Sequence, residues 1–238
     1  MSYLSHVARF GAAAKSLPDF DQLSARERIA WVAGRYGHKA ILSSGFGPQS
    51  AVLLHMVSQL APGMRIVDVD TQHRWDETEA YKESLLRDHL PHLDVRTYRS
   101  PETRAEQFRK YGDPAEFDES QLADHLRRNK TEPMSRALKD LHVRVWISGR
   151  RRAHHEDRQD LEVFEARNGI LHLNPIVDWS DEQVRDYREQ YGLPEHPLGA
   201  MGFTRIGEYF EPLGGKGICP IFTATPVSPP EIYQGRDI

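Results

Sequence analysis

A short apolar run that leads through a glycine-rich loop into a helix constrains the fold of this chain more than any other feature. Residues 39–43 read Lys-Ala-Ile-Leu-Ser and have the length of a buried strand, while residues 51–57 are apolar at helical length. The loop between them, at residues 43–50, reads Ser-Ser-Gly-Phe-Gly-Pro-Gln-Ser. A strand, a tight loop and a helix in this order are the first half of a βαβ unit and predict a parallel sheet.

The same alternation continues along the chain. Apolar runs that predict further strands lie at 64–69, 93–98, 143–147 and 170–173. Helical patterns lie between and after these runs, at 76–90, 103–110, 120–128, 133–141 and 180–191. Together these elements predict an α/β fold built on a doubly wound, mostly parallel sheet.

Both ends of the chain depart from this pattern. Residues 1–37 predict a helical N-terminal extension, with one helix over 4–10 and a second begun by a capping box at Ser24 and Glu27. Residues 194–238 are rich in glycine, proline and single aromatics, which predicts an irregular C-terminal tail packed on the domain. The central α/β domain is then expected at 38–193.

Charge and cysteine content exclude several classes of function. The net charge of −4 gives no general attraction to nucleic acid or to acidic membranes. The chain has one cysteine, Cys219, so it can form neither an internal disulfide nor a cysteine-ligated iron–sulfur cluster. No signal peptide and no apolar run of membrane-spanning length is found. We expect a cytoplasmic protein that binds neither nucleic acid nor membrane.

The loop at 43–50 has the chemistry of a phosphate-binding site. Glycines let the backbone approach a ligand, serine hydroxyls donate to phosphate oxygens, and the following helix turns its free N–H groups toward an anion. The candidate ligand-binding residues of the loop are Ser43, Ser44, Gly45, Gly47 and Ser50. The loop lacks the Lys-Ser/Thr ending of a Walker A motif and the spacing of a dinucleotide fingerprint. A plain glycine- and serine-rich turn remains the alternative interpretation of the loop alone.

Six blocks of sequence, in order, resemble the 3′-phosphoadenylyl sulfate (PAPS) reductases, a sulfonucleotide reductase family of the PP-loop superfamily. The blocks are the loop at 43–50, Val-Asp-Thr-Gln-His at 69–73 with Glu77-Thr78, Lys-Thr-Glu-Pro-Met-Ser-Arg-Ala-Leu-Lys at 130–139, Trp-Ile-Ser-Gly-Arg-Arg-Arg at 146–152, Leu-x-Pro-Ile-Val-Asp-Trp at 173–179 and Gly-Leu-Pro-x-His-Pro-Leu at 192–198. The resemblance implies an adenine nucleotide alpha hydrolase-like fold and an adenine sulfonucleotide as substrate.

Polar and basic residues near strand ends complete the candidate binding site. Asp70 and Thr71 follow the second predicted strand. The resemblance places Arg151, Arg152 and Arg158 at sulfonucleotide-binding positions, where planar guanidinium groups can hold several anionic oxygens. An exposed basic turn is the alternative for these arginines. We expect no metal site, because adjacent residues in one loop, such as the two histidines at 154 and 155, rarely converge on one ion.

The C-terminal tail departs from the family pattern. The family's Gly-Asp-x-His-Ser/Thr-Thr segment would fall near Gly207, where this chain reads Gly-Glu-Tyr-Phe, and the Glu-Cys-Gly-Leu-His signature is absent. The resemblance implies that a cysteine thiolate attacks the sulfonyl sulfur and that a thioredoxin-type dithiol then releases sulfite. Cys219, beside Lys216 on a glycine-rich segment, is the candidate nucleophile, and a structural cysteine is the alternative.

Three functions stay open on the sequence. The first is PAPS reduction with thioredoxin or glutaredoxin as partner and without a tightly bound cofactor. The second is a PP-loop enzyme without thiol redox chemistry, which adenylates a substrate from ATP or transfers or hydrolyses a sulfonucleotide group. The third is a non-catalytic nucleotide-binding module. The missing cluster cysteines favour PAPS over adenylyl sulfate, and a homodimer is the common state for such enzymes.

Overall fold

The computed structural model of the protein describes residues 17–154, 158–203 and 206–208. Within these residues, six strands form one sheet with the order β3-β2-β1-β4-β6-β5. All neighbouring strands pair in parallel except β5 and β6, which are antiparallel. The strands are β1 (Ala40–Ser43), β2 (Arg65–Asp70), β3 (Val95–Arg99), β4 (Val145–Ile147), β5 (Phe164–Arg167) and β6 (Ile170–Leu173).

Helices follow most of the strands. They are α1 (Ala25–Tyr36), α2 (Ser50–Leu60), α3 (Asp76–Ser84), α4 (Arg104–Tyr111), α5 (Glu119–Leu126), α6 (Glu132–Asp140), α7 (Asp181–Gln190) and the short α8 (Pro197–Ala200). Capping boxes begin four of them, at Ser24, Thr103, Asp118 and Ser180. These reciprocal bonds satisfy backbone donors that a helix start leaves open, which explains why the sequence located these helices well.

Both faces of the sheet are covered, as a doubly wound fold requires. In β1, Leu42 belongs to a large core that it shares with Ile29 of α1 and Leu54 of α2. Its neighbour Ile41 belongs to a second core on the other face, with Met134 of α6. Alternate residues of a strand point to opposite faces, so each face has its own apolar core.

Two helices run on through π-helical turns. The turn Leu85–His89 extends α3, and the turn Arg127–Thr131 joins α5 to α6, so that helical chain continues from Glu119 to Asp140. Single π turns inside α-helices occur often at functional sites. The second turn carries Lys130, which opens one of the family-like blocks.

Most of the expected elements are found. The predicted fold class is confirmed, and the five predicted strands lie within a few residues of the observed ones. Strand β5 was not expected, although Asn168 and Gly169, with φ of 52° and 76°, form the tight turn between β5 and β6. The helix expected over 4–10 and the segment with Cys219 lie outside the described residues. In the described part of the chain, no helix is long and apolar enough to cross a membrane.

Candidate active site

The loop after β1 lies where an α/β sheet of this kind binds its ligand. Strand β1 has β2 on one side and β4 on the other. From β1 the chain continues to β2, and from β4 it continues to the β5–β6 pair, so the two connections run to opposite sides of the sheet. A crevice opens between the carboxyl ends of two such strands. The loop at 43–50 and the arginines that follow β4 therefore lie on the two borders of the same crevice.

Hydrogen bonds hold the loop close to the sheet. The backbone N–H of Ser44 donates to the carbonyl of Val67 in β2 at 3.0 Å, and the Ser44 hydroxyl accepts from the backbone N–H of Phe46 at 3.2 Å. Phe46 has a φ of 54°, uncommon for a bulky residue, and its side chain is fully buried. The loop thus has a defined conformation with the Phe46 ring as an anchor in the core.

The two glycines of the loop face open space. A Cβ atom built on Gly45 or on Gly47 would meet nothing within 4 Å. The Ser50 hydroxyl donates to the carbonyl of Gly47 at 2.7 Å, and α2 begins with Gln49 as an N-cap that makes no side-chain capping bond. Backbone carbonyls rather than the Gln49 side chain bond the first N–H groups, with Ser50 N–H donating to Gly47 at 3.0 Å and Val52 N–H donating to Gln49 at 3.4 Å. The open space beside the glycines lets a ligand approach the loop backbone closely.

Ser43 links the loop to β4. Its hydroxyl accepts from the indole Nε1–H of Trp146 at 2.7 Å and keeps its own proton for a further partner. The Trp146 ring lies 5.1 Å from the ring of His172. Burial lowers the pKa of His172 to about 3, and the charge of Arg150 acts in the same direction. The tryptophan is thus packed against a neutral imidazole.

The polar residues after β2 stabilise their own turn. Asp70 accepts from the backbone N–H of Gln72 at 2.8 Å, and Thr71 accepts from the backbone N–H of His73 at 3.3 Å. Gln72 has a φ of 62°, which such side-chain turns tolerate. The binding role expected for Asp70 and Thr71 stays a prediction; their observed contacts shape the loop beside the crevice.

Arg150 and Arg151 are buried and bonded within the protein. Arg150 donates to Asn174 at 3.3 Å and to Glu165 at 3.0 Å. Arg151 is fully buried. Its guanidinium group donates to the Gln49 side chain at 2.9 Å, to the Trp179 carbonyl at 2.9 Å and to Asp181 at 2.5 Å. Arg151 therefore ties the start of α2 to the start of α7.

Arg152 and Arg158 are more exposed than Arg150 and Arg151. Arg152 donates from its guanidinium group to the carbonyl of Leu161 at 2.9 and 2.6 Å, and it is partly exposed. Arg158 is also partly exposed. A direct contact of Arg151, Arg152 or Arg158 with a ligand stays a prediction.

A buried charge network beside the loop was missed by sequence reasoning. Asp68, in the middle of β2, is fully buried and forms ion pairs with Arg74 and with Lys82, the latter at 2.5 Å. The Lys82 ammonium group lies 5.5 Å from the centre of the Phe46 ring. A carboxylate inside an apolar strand was the signal available, because a buried charge needs partners of opposite charge. Through Lys82, this network contacts the Phe46 ring that anchors the loop at 43–50.

A second buried network, also missed, involves the last described residue. Glu208 contacts His125 at 3.0 Å and Lys130 at 3.3 Å. The ring of His73 lies 4.8 Å from that of His125. Burial lowers the pKa of His73 to about 4, against the opposing effect of the Glu208 charge. These groups lie beside the turn that follows β2. Among the described residues, no group of three or more His, Cys, Asp or Glu side chains is placed to hold a metal ion.

Comparison with known proteins agrees with this geometry. The family model described as "Phosphoadenosine phosphosulfate reductase domain" matches residues 39–213. Phosphoadenosine 5′-phosphosulfate reductase of Klebsiella pneumoniae is 35% identical over 208 residues, which cover 87% of this chain and 84% of that protein. The enzyme of the same name from Escherichia coli O1:K1 is 34% identical over the same shares of the two chains.

Solved structures show the same likeness. The crystal structure of phosphoadenylyl-sulfate reductase from Candida auris, a phosphate complex, has a TM-score of 0.71 and 26% identity, and the match covers 89% of this chain and 97% of that one. FMN adenylyltransferase of Candida glabrata, with a TM-score of 0.55 and 13% identity over 77% of this chain and 61% of that one, shares the fold alone. The match of the family model over most of the chain and the relatives above 30% identity lead to one conclusion: the chain belongs to the phosphoadenosine phosphosulfate reductase family.

Proposed function

We propose that this protein reduces PAPS to sulfite and adenosine 3′,5′-bisphosphate with electrons from a dithiol protein. One observation carries the proposal. The loop at 43–50 presents two glycines to open space at the ligand-binding edge of the sheet, in a chain whose relatives over 87% of its length are PAPS reductases. The family membership supplies the substrate class, and the loop supplies a place for its phosphate groups.

The nucleotide would lie in the crevice between the ends of β1 and β4. Its phosphosulfate group would approach Gly45 and Gly47, where a Cβ atom would meet no protein atom within 4 Å. The positive end of α2 and the hydroxyl groups of Ser43 and Ser44 would supply the electrostatic attraction and the donors for this group. Arg158, which is partly exposed, would add positive charge for a polyanionic ligand.

The chemical step we propose uses the only cysteine. The Cys219 thiolate would attack the sulfonyl sulfur and form an S–S bond as the bond between that sulfur and the phosphate oxygen breaks. Adenosine 3′,5′-bisphosphate leaves with the electron pair, and the enzyme carries an S-sulfonate. A dithiol of the thioredoxin or glutaredoxin class would then attack the Cys219 sulfur, release sulfite and close its own disulfide, which supplies the two electrons.

Two further properties accompany this function. A nucleophilic thiolate must stay reduced between turnovers, so we propose that the protein works in the cytoplasm. We also propose a homodimer, the commonest oligomer of soluble enzymes. Sedimentation equilibrium at several protein concentrations tests the dimer directly, and a mass that equals one chain at every concentration would contradict it.

The function is tested by product analysis. The protein is incubated with PAPS and reduced thioredoxin, and sulfite and adenosine 3′,5′-bisphosphate are measured. A parallel sample without reductant is digested and analysed by mass spectrometry for a sulfonate on the Cys219 peptide. Cys219→Ser is expected to abolish both signals and to bind the nucleotide as the wild type does, because the substitution leaves the phosphate loop intact.

The same experiment separates the other possible chemistries. Incubation with ATP and Mg²⁺ tests an adenylating enzyme, which would release pyrophosphate. PAPS that is consumed while Cys219 stays unmodified, or full turnover by Cys219→Ser, contradicts the thiol mechanism. Binding of PAPS without any turnover in the presence of a reductant would indicate a non-catalytic module.

A further inference from the structure

The described chain reaches a buried carboxylate shortly before the proposed nucleophile. Glu208 is only 3% exposed, and Cys219 follows in the same C-terminal stretch of sequence. A chain spans at most about 3.6 Å per residue, so the position of Glu208 sets an upper bound on the distance between it and Cys219. The contacts of Glu208 therefore bear on where the thiol can be presented.

One carboxylate oxygen of Glu208 forms a hydrogen bond, and the other forms an ion pair. Oε2 lies 3.0 Å from Nε2 of His125, and Oε1 lies 3.3 Å from the Lys130 ammonium group. We call these three residues the Glu208 clamp. Burial alone would raise the pKa of Glu208, but the His125 hydrogen bond and the Lys130 charge lower it below its ordinary value. The carboxylate is thus held in its charged form.

Hydrogen bonds behind the clamp orient the His125 ring. The amides of Gln107 and Asn129 bond to each other reciprocally, at 2.9 and 2.8 Å, and Asn129 Nδ2 also lies 3.3 Å from His125 Nδ1. Because an amide nitrogen is only a donor, Nδ1 of His125 accepts, and Nε2 carries the proton that faces Glu208. His125 Nε2 therefore donates to the Glu208 carboxylate, which is the acceptor at this position.

The clamp joins elements that are distant in the sequence. His125 ends α5, while Asn129 and Lys130 belong to the π turn that connects α5 to α6. Asn129 is fully buried and Gln107 is 4% exposed, so the network is closed to water on the helix side. The start of the C-terminal segment is thus fastened to a rigid part of the domain by charge and by oriented hydrogen bonds.

We propose that Glu208 is a positioning residue: the clamp holds the start of the C-terminal segment on the π turn so that Cys219 is presented to the bound nucleotide. This inference rests on the proposed function, because it assigns Glu208 a part in the sulfonation of Cys219. The physical reason is effective concentration. Fixing one end of a chain segment raises the local concentration of a reactive group that the segment carries.

The critical variant is Glu208→Gln. A glutamine offers one acceptor and one donor where the two clamp donors, His125 and Lys130, need two acceptors, so the clamp opens while the side-chain size is kept. We expect the rate of Cys219 sulfonation at saturating PAPS to fall about tenfold to hundredfold. The affinity for adenosine 3′,5′-bisphosphate, measured by calorimetry, is expected to stay within about twofold of the wild type.

Matched variants separate positioning from loss of stability. His125→Gln keeps a donor for Glu208 and is expected to sulfonate faster than His125→Phe, which keeps none. Val32→Ala, a truncation in the fully buried part of α1, lowers stability in the main core. We expect it to lower the unfolding midpoint and to leave the sulfonation rate of the folded protein unchanged.

A second measurement does not depend on turnover. Cys219 is the only cysteine, so its reaction with a chromogenic disulfide reagent reports on this thiol alone. Adenosine 3′,5′-bisphosphate is expected to slow this reaction in the wild type and to slow it much less in Glu208→Gln.

The outcomes distinguish the two proposals. A wild type that forms no sulfonate overturns the proposed function, while a difference in nucleotide protection between wild type and Glu208→Gln would still support the clamp. Equal protection in the two proteins, an unchanged sulfonation rate, or an equal loss of nucleotide affinity and sulfonation in Glu208→Gln overturns the positioning role.

Discussion

The two borders of the crevice are built in opposite ways. On the β1 border, a Cβ atom at Gly45 or Gly47 would meet no neighbour within 4 Å, so the loop backbone faces open space. On the β4 border, Arg150 is 8% exposed and Arg151 is fully buried, and both guanidinium groups are bonded to protein atoms. One border leaves room for a ligand, and the other is closed by its own side chains.

The difference in burial shows that arginines close together in sequence, such as Arg151 and Arg158, need not have the same role. Arg151 bonds to Gln49 at the start of α2, so it fixes the loop from behind. Its donors are already engaged and would have to exchange partners in order to hold an anion. Arg158 differs from Arg151 in being partly exposed. The structure thus assigns Arg151 a part in holding the loop, while the ligand-binding role of the loop and of Arg158 stays a prediction.

The largest expected effect is on Arg151. Arg151→Ala leaves the Gln49 side chain and the Trp179 carbonyl without their donor and opens a cavity, so we expect a loss of about 2–4 kcal/mol in the free energy of unfolding. Arg185→Ala on α7, where the arginine side chain is 54% exposed, is the control and should change the free energy by less than about 0.5 kcal/mol. Urea titration measures both. A stable Arg151→Ala protein that binds no nucleotide would instead place Arg151 on the ligand.

Arg158 should show the reverse pattern. Arg158→Ala is expected to weaken nucleotide binding by about 1.5–3 kcal/mol, the range of hydrogen bonds to charged groups, with little change in unfolding. Arg158→Lys should recover part of the loss, because lysine keeps the charge without the planar pair of donors. Calorimetry with adenosine 3′,5′-bisphosphate measures the affinities. Equal affinity of the wild type, Arg158→Ala and Arg158→Lys would show that Arg158 does not contact the nucleotide.

Acid is expected to destabilise the folded protein through His172. Its pKa is lowered from 6.5 to about 3 in the folded protein, first by burial and then by Arg150. Between the two pKa values, His172 is protonated in the unfolded chain and neutral in the folded protein. The free energy of unfolding therefore falls as the pH drops below the unfolded pKa. Between pH 7 and pH 5 this one group should reduce the free energy of unfolding by about 2 kcal/mol. Unfolding of His172→Gln at the two pH values should show a smaller loss, and an identical loss would contradict the assignment.

The smallest expected effect tests the open border. Gly45→Val places a branched side chain in the space before the loop and should reduce nucleotide affinity about tenfold, or by about 1.4 kcal/mol. The unfolding midpoint should hardly change, because no protein atom lies within 4 Å of the added Cβ. Gly63→Val, at a glycine that also has no neighbour within 4 Å, is the control outside the crevice. Unchanged affinity in Gly45→Val would remove this loop from the site.

The order of the elements, the phosphate loop and the family blocks could be read without a structure. Strand and helix periods are local properties, and so are the capping boxes at Ser24 and Ser180. The loop was recognisable because two glycines and three serines lie within eight residues of sequence. Strand β5 was not predicted because its residues, 164–167, have only a weak apolar pattern, although the Asn168-Gly169 turn indicates a hairpin.

The sequence by itself therefore determined the α/β class, the position of the loop and the family, because each depends on residues close together in the chain. Tertiary structure alone decided that Arg151 is enclosed by Gln49, Trp179 and Asp181, and that Glu208 meets His125 across 83 residues of sequence. Burial and hydrogen-bond partners depend on which segments the folded chain brings together, and no local period records that. The same arginine type can thus support a loop or face a ligand, and only its surroundings in the folded protein separate the two roles.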